Sequence, residues 1–312
     1  MLLPPKVFSG SSNPALAHRI AQQLGVPLGD AHVKRFSDGE VNIAINESVR
    51  AHDVFVVQST CYPGNDHIME LLLLIDACRR SSAGRVHAVM PYFGYSRQDH
   101  LDGKRGPISA KVVATLLAAV GVDRVITIDL HARQIPGFFD VPVDHLQRSA
   151  HILIDHLCAL KLEEPVVVAP DAGGVERAGE IAKGMGGSIA MIDRRRGVPS
   201  KMKSMRLVGE VKGRDCVLVD DIIDTGSTIT EAADLLVTSG ARTVRAAVTH
   251  PVLSGSGVER LNRSKVMELI TSDTIPLPQE KQIDKITVVS VAGLLAGVIR
   301  SVHEGRSVAA VI

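Results

Sequence analysis

The chain has 312 residues, 45% hydrophobic and 22% charged, which is material for about two ordinary domains and excludes global disorder. Its 35 basic and 34 acidic residues leave a formal charge of +1, without the basic excess that a nucleic-acid partner selects for. Six Phe, three Tyr and no Trp also argue against base-stacking platforms.

The opening MLLPPKVFSG lacks the apolar run of a signal peptide and the Arg-rich face of a transit peptide. From the N-terminus, DVFVVQS reads as a strand, HIMELLLLIDACRRSSAG as a helix and RVHAVMPYF as a strand. LLLLI at 71–75 is too short to span a membrane and soon meets Arg79 and Arg80. The helical KVVATLLAAVG leads to the strand RVITIDL. In the second half PVVVAPD precedes GVERAGEIAKGMG, and CVLVDD precedes TITEAADLLVTSG and then TVRAAVTHP. Gly84, Gly121 and Gly240 stand where helix C-caps belong. Short apolar strands alternating with helices predict an α/β fold with mostly parallel sheets. Cys61, Cys78, Cys158 and Cys216 form no CxxC pair and read as buried reduced thiols, which fits a cytoplasmic protein.

One unit occurs twice. The strand–loop–helix–strand run from Val54 is repeated from Val217, and both copies finish at a Pro. The first copy carries Gln58-Ser59-Thr60 where the second carries acidic residues. A duplicated domain with one specialised copy is expected, joined near 145–150.

The specialised copy contains CVLVDDIIDTGSTI, residues 216–229. Ligands of open parallel sheets bind beyond the carboxyl ends of strands, and Asp220 and Asp221 stand at such an end. Gly226 allows close backbone approach, and a helix opening at about Ser227 or Thr228 offers free N–H groups, hydroxyls and the positive dipole end to a phosphate. An isolated DxxTG also reads as an ordinary helix cap. Two carboxylates directly after an apolar strand need a partner, because buried charge is costly. Vicinal hydroxyls are that partner, directly or through Mg²⁺, so a sugar phosphate with cis-diols satisfies both features.

This stretch resembles the phosphoribose motif of type I phosphoribosyltransferases and of the ribose-phosphate pyrophosphokinase (PRPP synthetase) family. FSDGE (36–40), PYFGYSRQD (91–99), DLHA (129–132), GFFDVPVDHL (137–146), PDAGGVERA (170–178) and VLVDDIIDTGST (217–228) are similar to the second family, in its class I bacterial form, in the same order. The resemblance implies two tandem type I phosphoribosyltransferase-like domains: 1–147 with the ATP site, 148–300 with the ribose 5-phosphate site and a lid at 193–210, and a tail, 301–312, packing on the first. It implies Mg²⁺-dependent transfer of the diphosphoryl group of ATP to the C1 hydroxyl of ribose 5-phosphate, in homodimers assembled into hexamers, with no nucleic-acid or membrane partner.

Residue by residue, the resemblance places Asp220, Asp221 and Asp224 along the ribose and Thr225, Gly226, Ser227 and Thr228 on its 5-phosphate. Arg97 and Gln98 match the ATP site; Phe36, Asp38, Gly39 and Glu40 match a loop that reaches a neighbouring subunit's nucleotide. His131 and Asp171 match metal positions. Mg²⁺ prefers oxygen ligands, so a water-mediated or nucleotide contact suits His131 as well as direct ligation. DRRRGVPSKMKSMRLVGE (193–210) shows neither helix nor strand periodicity and reads either as a solvated loop or as a basic lid over phosphates. Arg194 stands where the family carries its catalytic Lys, and Arg196 matches the second functional position, both catalytic and sugar-phosphate-binding. Arg keeps the charge but is planar and holds its proton. That departure keeps open an inactive or slow regulatory paralogue, or a related enzyme for another pentose phosphate. His100, Leu101, Asp102 and Gly103 also depart from a family pattern richer in Arg. Arg50, Arg79, Ser81, Ser82 and Ser307 resemble parts of an allosteric phosphate or ADP site, and equally read as ordinary surface residues.

Overall fold

Apolar runs of four to six residues, each followed by a helix, form parallel strands because only a crossover can bring the chain back to the same edge. The computed structural model describes residues 3–101, 105–147, 149–195 and 204–311. The chain divides into one unit of Met1–Arg148, Thr274–Pro276 and Ser290–Ile312, and another of Ser149–Asp273 and Leu277–Val289.

In the first unit the strands are β1 (Lys6–Ser9), β2 (Ala31–Arg35), β3 (Val41–Ile45), β4 (Asp53–Val57), β5 (Arg85–Met90), β6 (Arg124–Ile128) and β7 (Val143–Leu146). Among the described residues β1-β4-β5-β6-β7 form a parallel sheet, and β2 and β3 pair as a separate antiparallel hairpin. The helices are α1 (Pro14–Leu24), α2 (Gly64–Arg80) and α3 (Ser109–Val120), and the chain end returns as α8 (Ala292–His303). The α1 start follows its sequence: Asn13 accepts from the Leu16 N–H and Pro14 takes the first helical position. Val54, Val56, Leu71, Leu74, Ile75, Val86, Ala88 and Leu117 make up the core.

The second unit contains β8 (Val166–Ala169), β9 (Ser188–Arg195), β10 (Ser204–Val208), β11 (Asp215–Ile223), β12 (Thr243–Pro251), β13 (Leu269–Ser272) and β14 (Ile286–Val289). Their order is β10-β9-β8-β11-β12-β13-β14, parallel except for the β9/β10 pair. The helices are α4 (Ser149–Ala159), α5 (Val175–Met185), α6 (Ser227–Thr238) and α7 (Gly257–Arg263). The expected duplication is visible: β4–α2–β5 and β11–α6–β12 are the same unit, and the order β1-β4-β5-β6-β7 recurs as β8-β11-β12-β13-β14. An ion pair recurs too. Asp53 opens β4 and binds Arg85 at the start of β5; Asp215 opens β11 and binds Arg242 just before β12. The Arg242 hydrogen bonds hold the Asp215 carboxyl down at about 2.

The structure differs from expectation in several places. The second unit ends at Val289 rather than 300, because α8 packs on α1 and ties itself to the first unit. Arg300 donates to the Gln23 carbonyl at 2.9 Å, and the His303 ring lies 2.7 Å from the Asp53 carboxylate. Residues 193–195 and 204–208 of the expected lid are strand, since Ala190, Ile192 and Arg194 share one face of β9 and the charges conceal that alternation. Arg196 and residues 197–203, with Asp102 and Gly103, lie outside the described residues. Cys61, Cys78 and Cys216 are buried, but Cys158 lies exposed on α4. Among the described residues no helix is long and apolar enough to cross a membrane.

His87 on β5 is buried and stacked on Phe55 at 4.5 Å, and neither ring nitrogen has a hydrogen-bond partner among the described residues. Burial pushes this imidazole down from 6.5 to about 4. The unfolded chain therefore takes up a proton first as pH falls, so stability present above about 6.5 is lost toward 4, by about 3 kcal/mol. His87→Leu removes both the orphan nitrogens and this uptake. Denaturant titrations at pH 7 and 4.5 are expected to show a variant at least as stable as the parent at pH 7, with less loss at pH 4.5.

Candidate functional site

Parallel strands deliver their carboxyl ends to one edge of each sheet, and Asp171, Asp220 and Asp221 in the second unit and Arg97, Gln98 and His131 in the first lie toward those edges. In the second unit β11 outlasts β8: β8 pairs only along Cys216–Leu218 and ends at Ala169, while β12 accompanies β11 to Ile223. Asp220 and Asp221 are thus inside the strand rather than after it, on a ledge that β8 leaves uncovered. Asp221 is buried. Burial and the neighbouring Asp221 charge push the Asp220 carboxyl well above the usual carboxylate range, and Asp171 at the end of β8 adds to the push. Arg177 opposes it, with Nη1 3.9 Å from Asp220 Oδ1 and 3.8 Å from Asp221 Oδ1.

Beyond the ledge the chain turns into α6. Gly226 takes φ +76°, a left-handed conformation that disfavours a side chain, and it is the N-cap of the helix. The N–H groups of the first turn point out of the helix start. Hydroxyls surround them: Thr225 Oγ1 lies 3.3 Å from Ser227 Oγ. Ser254 donates to Asp224, and Arg260 of α7 donates to the Thr225 carbonyl. Arg194 reaches the same turn from β9. Its guanidinium donates to Thr228 O at 2.9 Å and Thr228 Oγ1 at 3.3 Å, and pairs with Glu231 at 3.4 Å. Asp171 Oδ1 accepts from the Gly173 and Gly174 N–H groups, and its charge acts on Asp220. This edge combines a helix start, hydroxyls, three guanidinium groups and a cluster of carboxylates. Chemically it suits a phosphate attached to a polyol.

In the first unit Arg97 and Gln98 follow β5 and are exposed. The Gln98 side-chain oxygen accepts from Ser109 Oγ at 2.6 Å, which fixes the turn against the start of α3. His131 follows β6 and is exposed, on the same sheet edge. Phe36, Asp38, Gly39 and Glu40 form the exposed tip of the β2–β3 hairpin. The tip is closed by Phe36 N–H to Glu40 O at 2.8 Å, Gly39 N–H to Phe36 O at 3.0 Å, and Glu40 N–H to Asp38 Oδ1 at 3.1 Å.

Arg177, Arg260 and Glu70 were not singled out from the sequence. Arg177 left a readable signal: a cation in the first turn of a helix opposes the helix dipole, so something acidic must face it. Arg260 left none, since α7 is short and polar.

Comparison with known proteins gives one family. The family model described as the N-terminal domain of ribose phosphate pyrophosphokinase matches residues 5–121, and the phosphoribosyl synthetase-associated domain matches 188–312. A ribose-phosphate pyrophosphokinase of Bacillus caldolyticus is 52% identical over 303 residues, covering 97% of this chain and 96% of the relative. That of Shewanella oneidensis is 51% identical over 308 residues, covering 98% of each. The crystal structure of the phosphoribosylpyrophosphate synthetase from Mycobacterium smegmatis superposes with a TM-score of 0.89 at 41% identity, covering 97% of this chain and 100% of that one. The chain belongs to the ribose-phosphate pyrophosphokinase family.

Proposed function

We infer that the chain is an ATP:ribose-5-phosphate diphosphotransferase, feeding nucleotide biosynthesis. The C1 hydroxyl oxygen of ribose 5-phosphate attacks the β-phosphorus of ATP and loses its proton. The bond from that phosphorus to the α-phosphate's bridging oxygen breaks, giving 5-phosphoribosyl 1-diphosphate and AMP. The observation that carries the reading is the Asp220–Asp221 ledge beside the Gly226 helix start, which accommodates sugar hydroxyls and a phosphate within one turn of chain. Family membership at about half identity over nearly the whole chain favours this over a regulatory paralogue or another pentose phosphate.

In this reading Asp220, Asp221 and Asp224 bind the ribose hydroxyls, and Thr225, Gly226, Ser227 and Thr228 hold the 5-phosphate. Arg97 and Gln98 bind ATP, and Phe36, Asp38, Gly39 and Glu40 approach the nucleotide of a neighbouring subunit in a homo-oligomer, dimers building a hexamer. The carboxylates at Asp171 and the ledge fit Mg²⁺. They are oxygen donors whose mutual repulsion a cation relieves, and Mg²⁺ needs one or two of them because it keeps waters and takes phosphate oxygens. When bound, Mg²⁺ neutralises charge on the transferring phosphates. By the resemblance Asp171 would hold a metal ion, and His131 would contact a metal ion or the nucleotide. In the same reading Arg194 and Arg196 neutralise the transferring group. Arg194 already lies against Thr228 of the phosphate turn. The β9–β10 connection, rather than the whole of 193–210, acts as the lid, and a phosphate or ADP effector acts at Arg50, Arg79, Ser81, Ser82 and Ser307. Incubation with Mg-ATP and ribose 5-phosphate, followed by ³¹P NMR, is expected to show AMP and a sugar diphosphate. Hydrolysis to ADP without a sugar product would overturn the reading.

The basic run is expected to be uneven. Arg194→Ala and Arg196→Ala should each lower turnover by ~100-fold, the scale of one lost transition-state donor, while Arg195→Ala costs far less. Steady-state turnover at saturating Mg-ATP decides it, and equal small losses would reduce the run to a solvated basic strand. For the shared nucleotide site, Arg97→Ala and Glu40→Ala subunits are each expected to be inactive alone and to regain activity on mixed assembly. Confirmed mixed oligomers that stay inactive would place the pocket within one chain.

A further inference from the structure

The first copy of the duplicated unit carries Gln58-Ser59-Thr60 where the second carries its carboxylate ledge. These residues are buried, as are Ser12, Asn13 and Glu70 around them. Glu70 lies on α2, its side chain 3% exposed. Its Oε2 accepts from Ser11 N at 3.2 Å, Ser11 Oγ at 2.5 Å and Gln58 Nε2 at 2.8 Å. Gln58 is itself fixed by the Ser12 N–H at 3.1 Å and by donating to the His67 carbonyl at 3.2 Å. Where the second copy opens to solvent, the first is closed by its own carboxylate.

The other oxygen has a different role. Glu70 Oε1 accepts from Arg35 Nη2 at 3.3 Å. Arg35 ends β2, and its Nη1 donates to the Gly39 carbonyl at 3.2 Å. Asp66 lies 3.3 Å from the same Nη2. One guanidinium thus joins the hairpin tip to a buried carboxylate anchored in the sheet's loops. Gly39 has φ +96°, so its carbonyl is turned by a conformation the flanking residues avoid, and Arg35 holds it there. Exposed ion pairs add little because solvent competes and the side chains lose freedom. Here one partner is buried and already oriented by three other donors, so ordering it costs nothing further.

We propose that Glu70 and Arg35 are positioning residues for ATP: the buried Glu70 carboxylate fixes Arg35, and Arg35 fixes the 36–40 tip in the shape that meets the nucleotide. The inference rests on the assignment of that tip to ATP, and its tests separate the two. Glu70→Gln is the sharpest variant. The amide oxygen can face the three Ser11 and Gln58 donors, which then puts the NH₂ against Arg35, donor to donor. The fold's internal network survives while the tie is lost. Arg35→Ala removes the tie from the exposed side.

Both variants are expected to raise the KM for ATP ~10-fold, the scale of one charge-assisted hydrogen bond, with the KM for ribose 5-phosphate unchanged. The double variant should cost no more than Arg35→Ala alone, since Glu70 acts through Arg35. Arg35→Lys, which can reach only one of the two acceptors, should recover part of the loss. Amide exchange at Gly39 and Glu40 should quicken in Glu70→Gln. Phe36→Ala serves as the control for the tip. If it raises the KM for ATP while Arg35→Ala and Glu70→Gln do not, the positioning role is wrong. If exchange quickens but no variant, Phe36→Ala included, changes the KM for ATP, the tie is real and the nucleotide assignment falls, taking the positioning role with it. Equal rises in both substrates' KM would mark a general loss of structure and also overturn the proposal.

Discussion

Two carboxylates on consecutive residues of a buried strand, faced by one guanidinium at 3.8–3.9 Å, set the terms for the second unit. Such a pair is unfavourable by itself. Each charge loses hydration, each repels the other, and Arg177 is shared between them. The surroundings reduce the cost rather than remove it: β8 stops early, so Asp220 keeps partial exposure, and its Oδ1 accepts from the Asp221 N–H at 3.0 Å. The remaining imbalance is what a ligand with hydroxyls, or a cation carried in by phosphates, can correct. The Gly226 turn beside it has the opposite need, with outward N–H groups and hydroxyls calling for an anion. A molecule that carries a diol and a phosphate satisfies both, and that complementarity is the physical argument for the proposed sugar-phosphate site.

The duplication shows which parts of the unit are structural and which are free to specialise. At the strand starts both copies keep an Asp–Arg pair, Asp53 with Arg85 and Asp215 with Arg242, where it staples adjacent strands. At the strand ends the copies diverge. One closes over Glu70 and Gln58; the other keeps the open Asp220–Asp221 ledge. The loops diverge in parallel. The β2–β3 tip at 36–40 and the β9–β10 connection occupy the same place in the order of elements, one between β1 and β4 and the other between β8 and β11. One copy has tied that loop down through Arg35, and the other has loaded its flanks with Arg194 and Arg195.

Much of this was legible in the sequence, for reasons that differ by residue. The α/β class and the repeat were readable because fully buried parallel strands leave continuous apolar runs, and β4 and β11 are both such runs. The helix start at Ser227 was readable from Gly226 and the hydroxyls after it. The strand character of 193–195 was hidden, because Arg194 sits on the same face as Ala190 and Ile192, and a half-buried guanidinium looks like a loop residue in one dimension. The return of α8 to the first unit was hidden because it depends on long-range contacts, Arg300 with Gln23 and His303 with Asp53. Glu70 was hidden for a related reason: it sits on an amphipathic helix where a charge is unremarkable, and only the fold shows which donors it meets.

The central claim is that Asp220 is held at the ledge for its ligand and at some expense to the empty protein. Asp220→Asn tests it directly, since Asn keeps the acceptor for the Asp221 N–H and removes only the charge. Thermal unfolding without ligand at neutral pH should shift upward, because a carboxyl raised by burial and by the Asp221 charge costs the folded parent stability above the ordinary carboxylate range, and an amide carries no such cost. Turnover of ribose 5-phosphate should fall in the same protein. A variant that melts lower while using the sugar as well as the parent would contradict the account.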